Sequence, residues 1–181
     1  MPQAAAHILI PLIFISLFRD YLIRKNKKWK KQFPFHYVLI AGISGVIPDI
    51  DVLAFWVLNF FGFSYQEVHR TFMHTIFIPF IFLFIGILFI KSNHLIGKHK
   101  LKLSVIFFII SLGCFSHLIL DSIFQGYIMP LYPFLDYSIG LSLFSYLPKP
   151  LEIIAAPSLD SGLIIIWLIY MELQHKISDL I

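Results

Sequence analysis

Seven residues of this 181-residue chain could together bind a divalent cation, because each offers an imidazole nitrogen or a carboxylate oxygen. Six of them fall in three short motifs, and the seventh stands near the start of the chain. The seven candidate ligands are His7, Asp49, Asp51, His69, His74, His117 and Asp121. They lie at the ends of apolar segments, where ionisable side chains are costly, so their position indicates a functional site.

His117 and Asp121 are four residues apart, which places both side chains on one face of a helix. This spacing suits two ligands of one cation, or a histidine ring that is oriented by a neighbouring carboxylate. A hydrogen-bonded pair that only closes the end of the helix is an equally weighted alternative. The spacing alone therefore leaves a metal site and a structural pair both open.

Asp49 and Asp51 flank Ile50 directly after Pro48. In an extended turn both carboxylates can point to one side, and one of them could then bridge two cations. The alternative is that one aspartate caps the helix that begins near Val52. A cap needs only one aspartate, so the second aspartate favours the metal-ligand interpretation.

His69 and His74 are five residues apart, which separates them by about 140° around an ideal helix. They can share a site only if His69 precedes the helix or the backbone bends. Arg70 lies four residues before His74 and is the candidate for binding an anionic oxygen, with an interfacial arginine as the alternative. Glu67 is the candidate general base. His7 alone would be interpreted as a packed histidine, and it joins the set through its predicted side of the membrane.

The composition indicates an integral membrane protein, with 59% hydrophobic residues, 13% charged residues and a mean hydropathy of +0.84. A soluble domain of this length would carry far more charge. The single cysteine, Cys114, excludes an internal disulfide and a thiolate zinc site, so any cation must be held by His, Asp or Glu. We predict one all-α, polytopic membrane domain over residues 1–181, with four or five transmembrane helices and short interfacial or re-entrant helices.

The predicted apolar segments cover about residues 4–23, 35–47, 76–90, 103–120 and 151–170. Residues 52–63 are too few to span alone and suit a re-entrant or interfacial piece. Pro157 and Asp160 are expected to interrupt the last span. The stretch 121–150, rich in aromatic residues, prolines and glycine, is expected to lie at the interface or to fold over the site.

Two basic loops, at residues 24–31 and 91–102, predict the topology. The positive-inside rule places both loops in the cytoplasm. Because the apolar spans run between these loops, every candidate ligand is then expected on the opposite face of an inner or cytoplasmic membrane. This argument requires a break within residues 35–63, and the proline and aspartates in their middle favour one.

At these residues the chain resembles the membrane-bound metal-dependent hydrolases, also described as LexA-binding, inner membrane-associated hydrolases. Their pattern is an N-terminal His, Pro-Asp-x-Asp, His-Arg-x-x-x-His-Ser/Thr, and His-x-x-x-Asp followed by a Gly and a Leu-x-Pro-Phe-like stretch. The matching residues are His7, 48–51, 69–75, 117–121, Gly126 and 131–134, within about residues 5–135. Val52 stands where many members have a further His, which implies one ligand fewer.

The resemblance implies a metal-dependent hydrolase, distantly similar to zinc-dependent phospholipase C, that cleaves a phosphoester in a lipid or lipid-linked substrate. Imidazole and carboxylate ligands favour one or more zinc ions, with manganese or iron as alternatives. The expected partners are membrane lipid, an amphiphilic phosphoester and, from the LexA-binding description, a regulatory protein, whereas no nucleic acid is expected. The alternative functions are a metal or ion transporter and a non-catalytic membrane regulator.

Overall fold

The computed structural model describes residues 4–69, 71–92 and 94–174, without the side chains of residues 66, 67 and 125. The helices are α1 Ala4–Lys25, α2 Trp29–Gln32, α3 His36–Ser44, α4 Asp51–Leu58, α5 Tyr65–Val68, α6 Phe77–Leu88, α7 Leu103–Leu120 and α8 Lys149–Leu173. Single 3-10 turns cover Pro48–Ile50, Asn59–Phe61, Phe72–His74 and Leu143–Tyr146, and a π-helical turn covers Asp121–Gln125. Strands β1 Leu95–Ile96 and β2 Leu101–Lys102 form a short antiparallel hairpin. The predicted all-α class is confirmed.

Three helical segments of the described residues are long and apolar enough to cross a membrane: Ala4–Lys25, Leu103–Phe124 and Lys149–Leu173. A fourth candidate is α3 together with Pro48–Phe61, a pair bent by 52° that forms either a broken span or a re-entrant loop. Helix α6 is apolar, but its 12 residues extend only about 18 Å. The predicted polytopic architecture is therefore confirmed, with three candidate spans or four with the bent pair.

The chain breaks at Pro48, as the sequence predicted. Proline lacks a backbone N–H and cannot continue a helix, and here it begins a 3-10 turn after α3 has ended. Helix α4 then begins at Asp51, and neither this helix nor the turn before it has a side-chain capping hydrogen bond. The capping alternative for Asp49 and Asp51 is therefore wrong.

Helices α1, α3 and α7 pack closely because small residues line their contacts. A Cβ atom added to Gly42 would lie 2.9 Å from the Leu12 side chain, and one added to Gly45 would collide with the His7 carbonyl oxygen. Gly113 of α7 lies equally close to Ser44 of α3. Small residues permit this close contact, which fixes the helices that carry the candidate ligands.

Helix α8 runs unbroken through Pro157 and Asp160, so the predicted interruption of the last span is wrong. Asp160 accepts a hydrogen bond of 2.8 Å from the backbone N–H of Ala6 in the first turn of α1. Near the other end of α8, the Tyr170 hydroxyl donates to Asp20 of α1. These two polar contacts attach α8 to α1, and the aspartate that seemed to break the helix provides one of them.

The loop after α7 folds back onto the segment that carries His74, as expected of the 121–150 stretch. Ile76 donates its backbone N–H to the Pro130 carbonyl at 3.0 Å. The rings of Phe72 and Tyr132 pack edge to face with their centroids 5.0 Å apart. The loop therefore contacts the residues on both sides of His74 and helps to hold this turn in place.

Candidate metal centre

The structure brings all seven predicted ligands into one cluster. Their nitrogen and oxygen atoms form three overlapping groups, and within each group the atoms lie within 4.8 Å of one another. The groups are His7–His117–Asp121, Asp49–His74–His117 and Asp51–His69–His74. Because His117 and His74 each belong to two groups, the three groups form one continuous centre.

Helix α1 contributes His7 close to its first turn, at the level where Asp160 holds the Ala6 N–H. The His7 ring stacks on His117 with 3.9 Å between centroids, and its Nε2 lies 3.3 Å from Asp121 Oδ1. Its other nitrogen, Nδ1, is buried and has no hydrogen-bond partner among the described residues. His7 is therefore a full member of the cluster, although its isolated position in the sequence would not by itself have identified it as a ligand.

Helix α7 contributes His117, whose orientation is set by a backbone group of another helix. Its Nδ1 lies 2.7 Å from the Gly45 carbonyl oxygen, which can only accept, so Nδ1 carries the proton and donates it. Its Nε2 lone pair consequently faces the cluster, 3.1 Å from His74 Nε2. Two nitrogens bound to one tetrahedral zinc would lie about 3.3 Å apart, so this spacing fits a cation between the rings.

His74 ends a 3-10 turn, and the aspartates approach it from both sides. Its Nε2 lies 3.4 Å from Asp121 Oδ2 and 3.6 Å from Asp49 Oδ1, whereas its Nδ1 lies 3.0 Å from Asp51 Oδ2. His69 follows α5 and precedes this turn, which meets the condition under which the two histidines could share a site. His69 Nδ1 lies 2.9 Å from Asp51 Oδ1, and its ring stacks on Tyr65.

The centre is buried and electrostatically suited to a cation. His74 and His117 are fully buried. Among the aspartates that face these two histidines, Asp49 has the most exposed side chain, at 17%. Burial alone would lower the pKa of His74, but the carboxylates of Asp49 and Asp51 outweigh burial and raise this pKa to about 9. Without a cation, the ring therefore holds a positive charge at the place where a cation would bind.

Two predicted residues fall partly or wholly outside the described part of the chain. Arg70 lies outside the described residues, and so does the side chain of Glu67. One participant was missed as a site residue, namely Gly45, whose carbonyl accepts the His117 proton. The small residues Gly42, Ser44 and Gly45 indicate close helix contact in this region, but they do not predict a hydrogen bond to the site.

Comparison with known proteins gives one match. A family model described as YdjM inner membrane protein matches residues 1–175 of the chain. No curated protein and no solved structure matches. The predicted inner-membrane family is confirmed at this level, and the family description names no activity.

Proposed function

The chain belongs to the YdjM inner membrane protein family, and from this premise we propose that it is a membrane-bound metal-dependent hydrolase that cleaves a phosphoester in a lipid or lipid-linked substrate. The observation that carries the proposal is the single buried cluster of four histidines and three aspartates. Carboxylates buried away from water need a compensating positive charge, which a bound cation would supply. The apolar helices around it supply the membrane setting.

The residues present fit a divalent cation of the zinc, manganese or iron type. Imidazole nitrogens and carboxylate oxygens suit all three metals, with zinc expected first. The hydrogen bond from His117 to Gly45 leaves Nε2 free as a ligand, which a metal-binding histidine requires. A cation held here would supply Lewis-acid chemistry, activating water and polarising a phosphoryl oxygen.

The remaining groups are assigned from their chemistry and position. Asp49 marks the open side of the centre, so substrate is expected to approach past it. Arg70 follows His69 directly in the chain, and its guanidinium has only donors, so it would bind phosphate oxygens and not the cation. Glu67 is proposed as a general base three residues before Arg70.

Apolar side chains within the ligand motifs support a lipid substrate. Ile50, between the two aspartates, is 51% exposed, and Phe72, two residues before His74, is 62% exposed. Ile119, between His117 and Asp121, is 42% exposed. Each motif thus presents hydrocarbon outward while its polar side chains face inward. An amphiphilic substrate could therefore keep its tails in the bilayer while its phosphoester reaches the centre.

A transporter would need polar groups along the depth of the bilayer. At the opposite end of α1, Arg19 instead donates to the Phe33 carbonyl at 3.0 Å, and Asp20 accepts from Tyr170. These contacts attach neighbouring elements to α1 and do not continue the ligand cluster. The clustering therefore favours a hydrolase over an ion path.

The test combines metal analysis with hydrolysis by purified protein in detergent. Wild-type protein should contain metal, lose hydrolysis of bis(4-nitrophenyl) phosphate and of phospholipid in the presence of a chelator, and regain it with zinc, manganese or iron. His117→Ala should lose both metal and turnover, whereas His94→Ala, outside the cluster and exposed, should keep both. Full metal occupancy without hydrolysis of any phosphoester would contradict the proposal and favour a regulator or transporter.

A further inference from the structure

We infer that the seven residues divide into a five-residue site for one cation and a separate Asp51–His69 pair that does not bind it. The five residues are His7, Asp49, His74, His117 and Asp121. The inference rests on the proposed function only in requiring that a cation binds. It differs from the expectation that all seven residues are ligands, and it follows from the number of lone pairs that each ring can offer.

His117 can serve one cation only. A neutral imidazole carries its proton on one nitrogen and one lone pair on the other. Because Nδ1 donates to the Gly45 carbonyl, only Nε2 remains, and both groups that include His117 depend on that atom. The groups His7–His117–Asp121 and Asp49–His74–His117 therefore describe a single site.

The contacts of His74 also indicate a single cation site. Its Nε2 faces His117 Nε2 at 3.1 Å, whereas its Nδ1 lies 3.0 Å from Asp51 Oδ2. A ligating histidine commonly directs its second nitrogen to a carboxylate, which orients the ring. His74 could bind a second cation in the Asp51–His69–His74 group through Nδ1 and also remain a ligand of the first cation through Nε2 only by losing both ring protons. The Asp51 carboxylate lies at ion-pairing distance from Nδ1, on the side of the ring away from His117, and leaves Nε2 to the cation.

Asp51 contacts both histidine rings of the motif, and the two rings are left with different roles. One of its oxygens lies 3.0 Å from His74 Nδ1, and the other lies 2.9 Å from His69 Nδ1. Because Nδ1 of His69 is engaged with this carboxylate, His69 can offer only Nε2 to other groups. The ring is held in place by stacking on Tyr65, with 4.7 Å between centroids. His69 is thereby placed to contact substrate or water, whereas His74 contacts the cation.

The closing experiment compares the same substitution at the two histidines of the motif. Wild-type protein loaded with cobalt(II) should bind one ion per chain, with three imidazoles per ion in X-ray absorption. His69→Gln should keep one ion and the wild-type cobalt spectrum while turnover falls by about 100-fold or more. His74→Gln should lose the ion.

Two ions per wild-type chain, falling to one in His69→Gln, would overturn the division, as would four imidazoles around one ion. The wild-type ion and imidazole counts decide the matter even where a variant fails to fold. One ion per chain with no hydrolysis of any phosphoester would support the division while the proposed function fails. The absence of any bound ion in wild-type protein would overturn both.

Discussion

The candidate metal centre and the pair formed by His36 and His99 show how different surroundings change the same side chain. In both places two imidazoles stack, at 3.9 Å for His7 and His117 and at 3.8 Å for His36 and His99. Around His74, carboxylates outweigh burial and raise the pKa to about 9. At His99, desolvation and the neighbours His36 and Lys98 lower the pKa. Stacking is common to both places, and the neighbouring carboxylates make only the first of them a candidate for cation binding.

The charge distribution along the chain explains this contrast. Ten of the fourteen Lys and Arg residues lie in the two loops at 24–31 and 91–102, and no Asp or Glu occurs in residues 21–48 or 68–120. The second loop contacts the start of α3, which follows the first loop, through the His36–His99 stack and a hydrogen bond of 2.6 Å from the Lys102 N–H to the Tyr37 hydroxyl. The molecule therefore has a basic end and a separate acidic and histidine-rich centre. Their placement on opposite faces of a membrane stays a prediction.

The largest expected effect is an all-or-none difference in labelling of the two regions. In a Cys114→Ala background, Lys28→Cys should react with an impermeant thiol reagent only from the cytoplasmic side. Phe60→Cys, nine residues after Asp51 in the chain and 89% exposed, should react only from the other side. Labelling of both positions from one side of sealed vesicles would contradict the predicted placement of the two regions on opposite faces of the membrane.

Gly45→Ala should damage the metal centre without touching a ligand side chain. Its Cβ would collide with the His7 carbonyl oxygen and displace the carbonyl that orients His117. Overpacking of this kind costs about 1–3 kcal/mol, and loss of a group that orients a ligand lowers metal affinity by about 10–100-fold. Thermal unfolding and zinc titration in detergent would measure both effects.

Gly162→Ala is the matched control for that substitution, because a Cβ at Gly162 meets no atom within 4 Å. It should leave metal affinity unchanged and stabilise α8 slightly, since alanine favours helices over glycine. Equal metal affinity in the Gly45 and Gly162 variants would contradict the role assigned to the Gly45 carbonyl.

Metal affinity should rise with pH until the pKa of His74, about 9 in the cation-free protein, is passed. A ligating imidazole must be neutral, so below that pH a cation has to displace the His74 proton. One displaced proton lowers the apparent affinity by about tenfold for each pH unit below 9. Calorimetric titrations in two buffers of different ionisation enthalpy would count the protons released. Affinity independent of pH between 7 and 9 would show that His74 is already neutral.

The smallest effect is expected at the basic end. Lys98→Gln removes one of the positive charges that disfavour protonation of His99, so the pKa of His99 should rise. The change is small because exposed charges are screened by salt. Titration of the His99 ring resonance by NMR would measure it, with Lys27→Gln, in the other basic loop, as the control. No change at low ionic strength would show that burial and His36 alone account for the lowered pKa.

Local chemistry alone determined the class of the protein and the identity of its ligand motifs. Long apolar runs cannot be covered by 13% charged residues in water, so a helical membrane protein followed from composition. Pro48 has no N–H to donate, so the break before Asp49 and Asp51 was also predictable. Basic loops alternating with apolar runs were sufficient to predict that His7, His117 and Asp121 would meet.

Tertiary structure alone decided how the ligands are oriented. The proton position on His117 depends on Gly45, 72 residues away, and this contact exists only because α3 and α7 pack through small residues. The partner of Asp160, the Ala6 N–H, likewise comes from another helix. Spacing in sequence predicts which side chains share a helix face, but the carbonyl that accepts the Nδ1 proton of His117 comes from the end of another helix. For this reason the cluster could be predicted from its motifs, whereas the division between His74 and His69 required the packed structure.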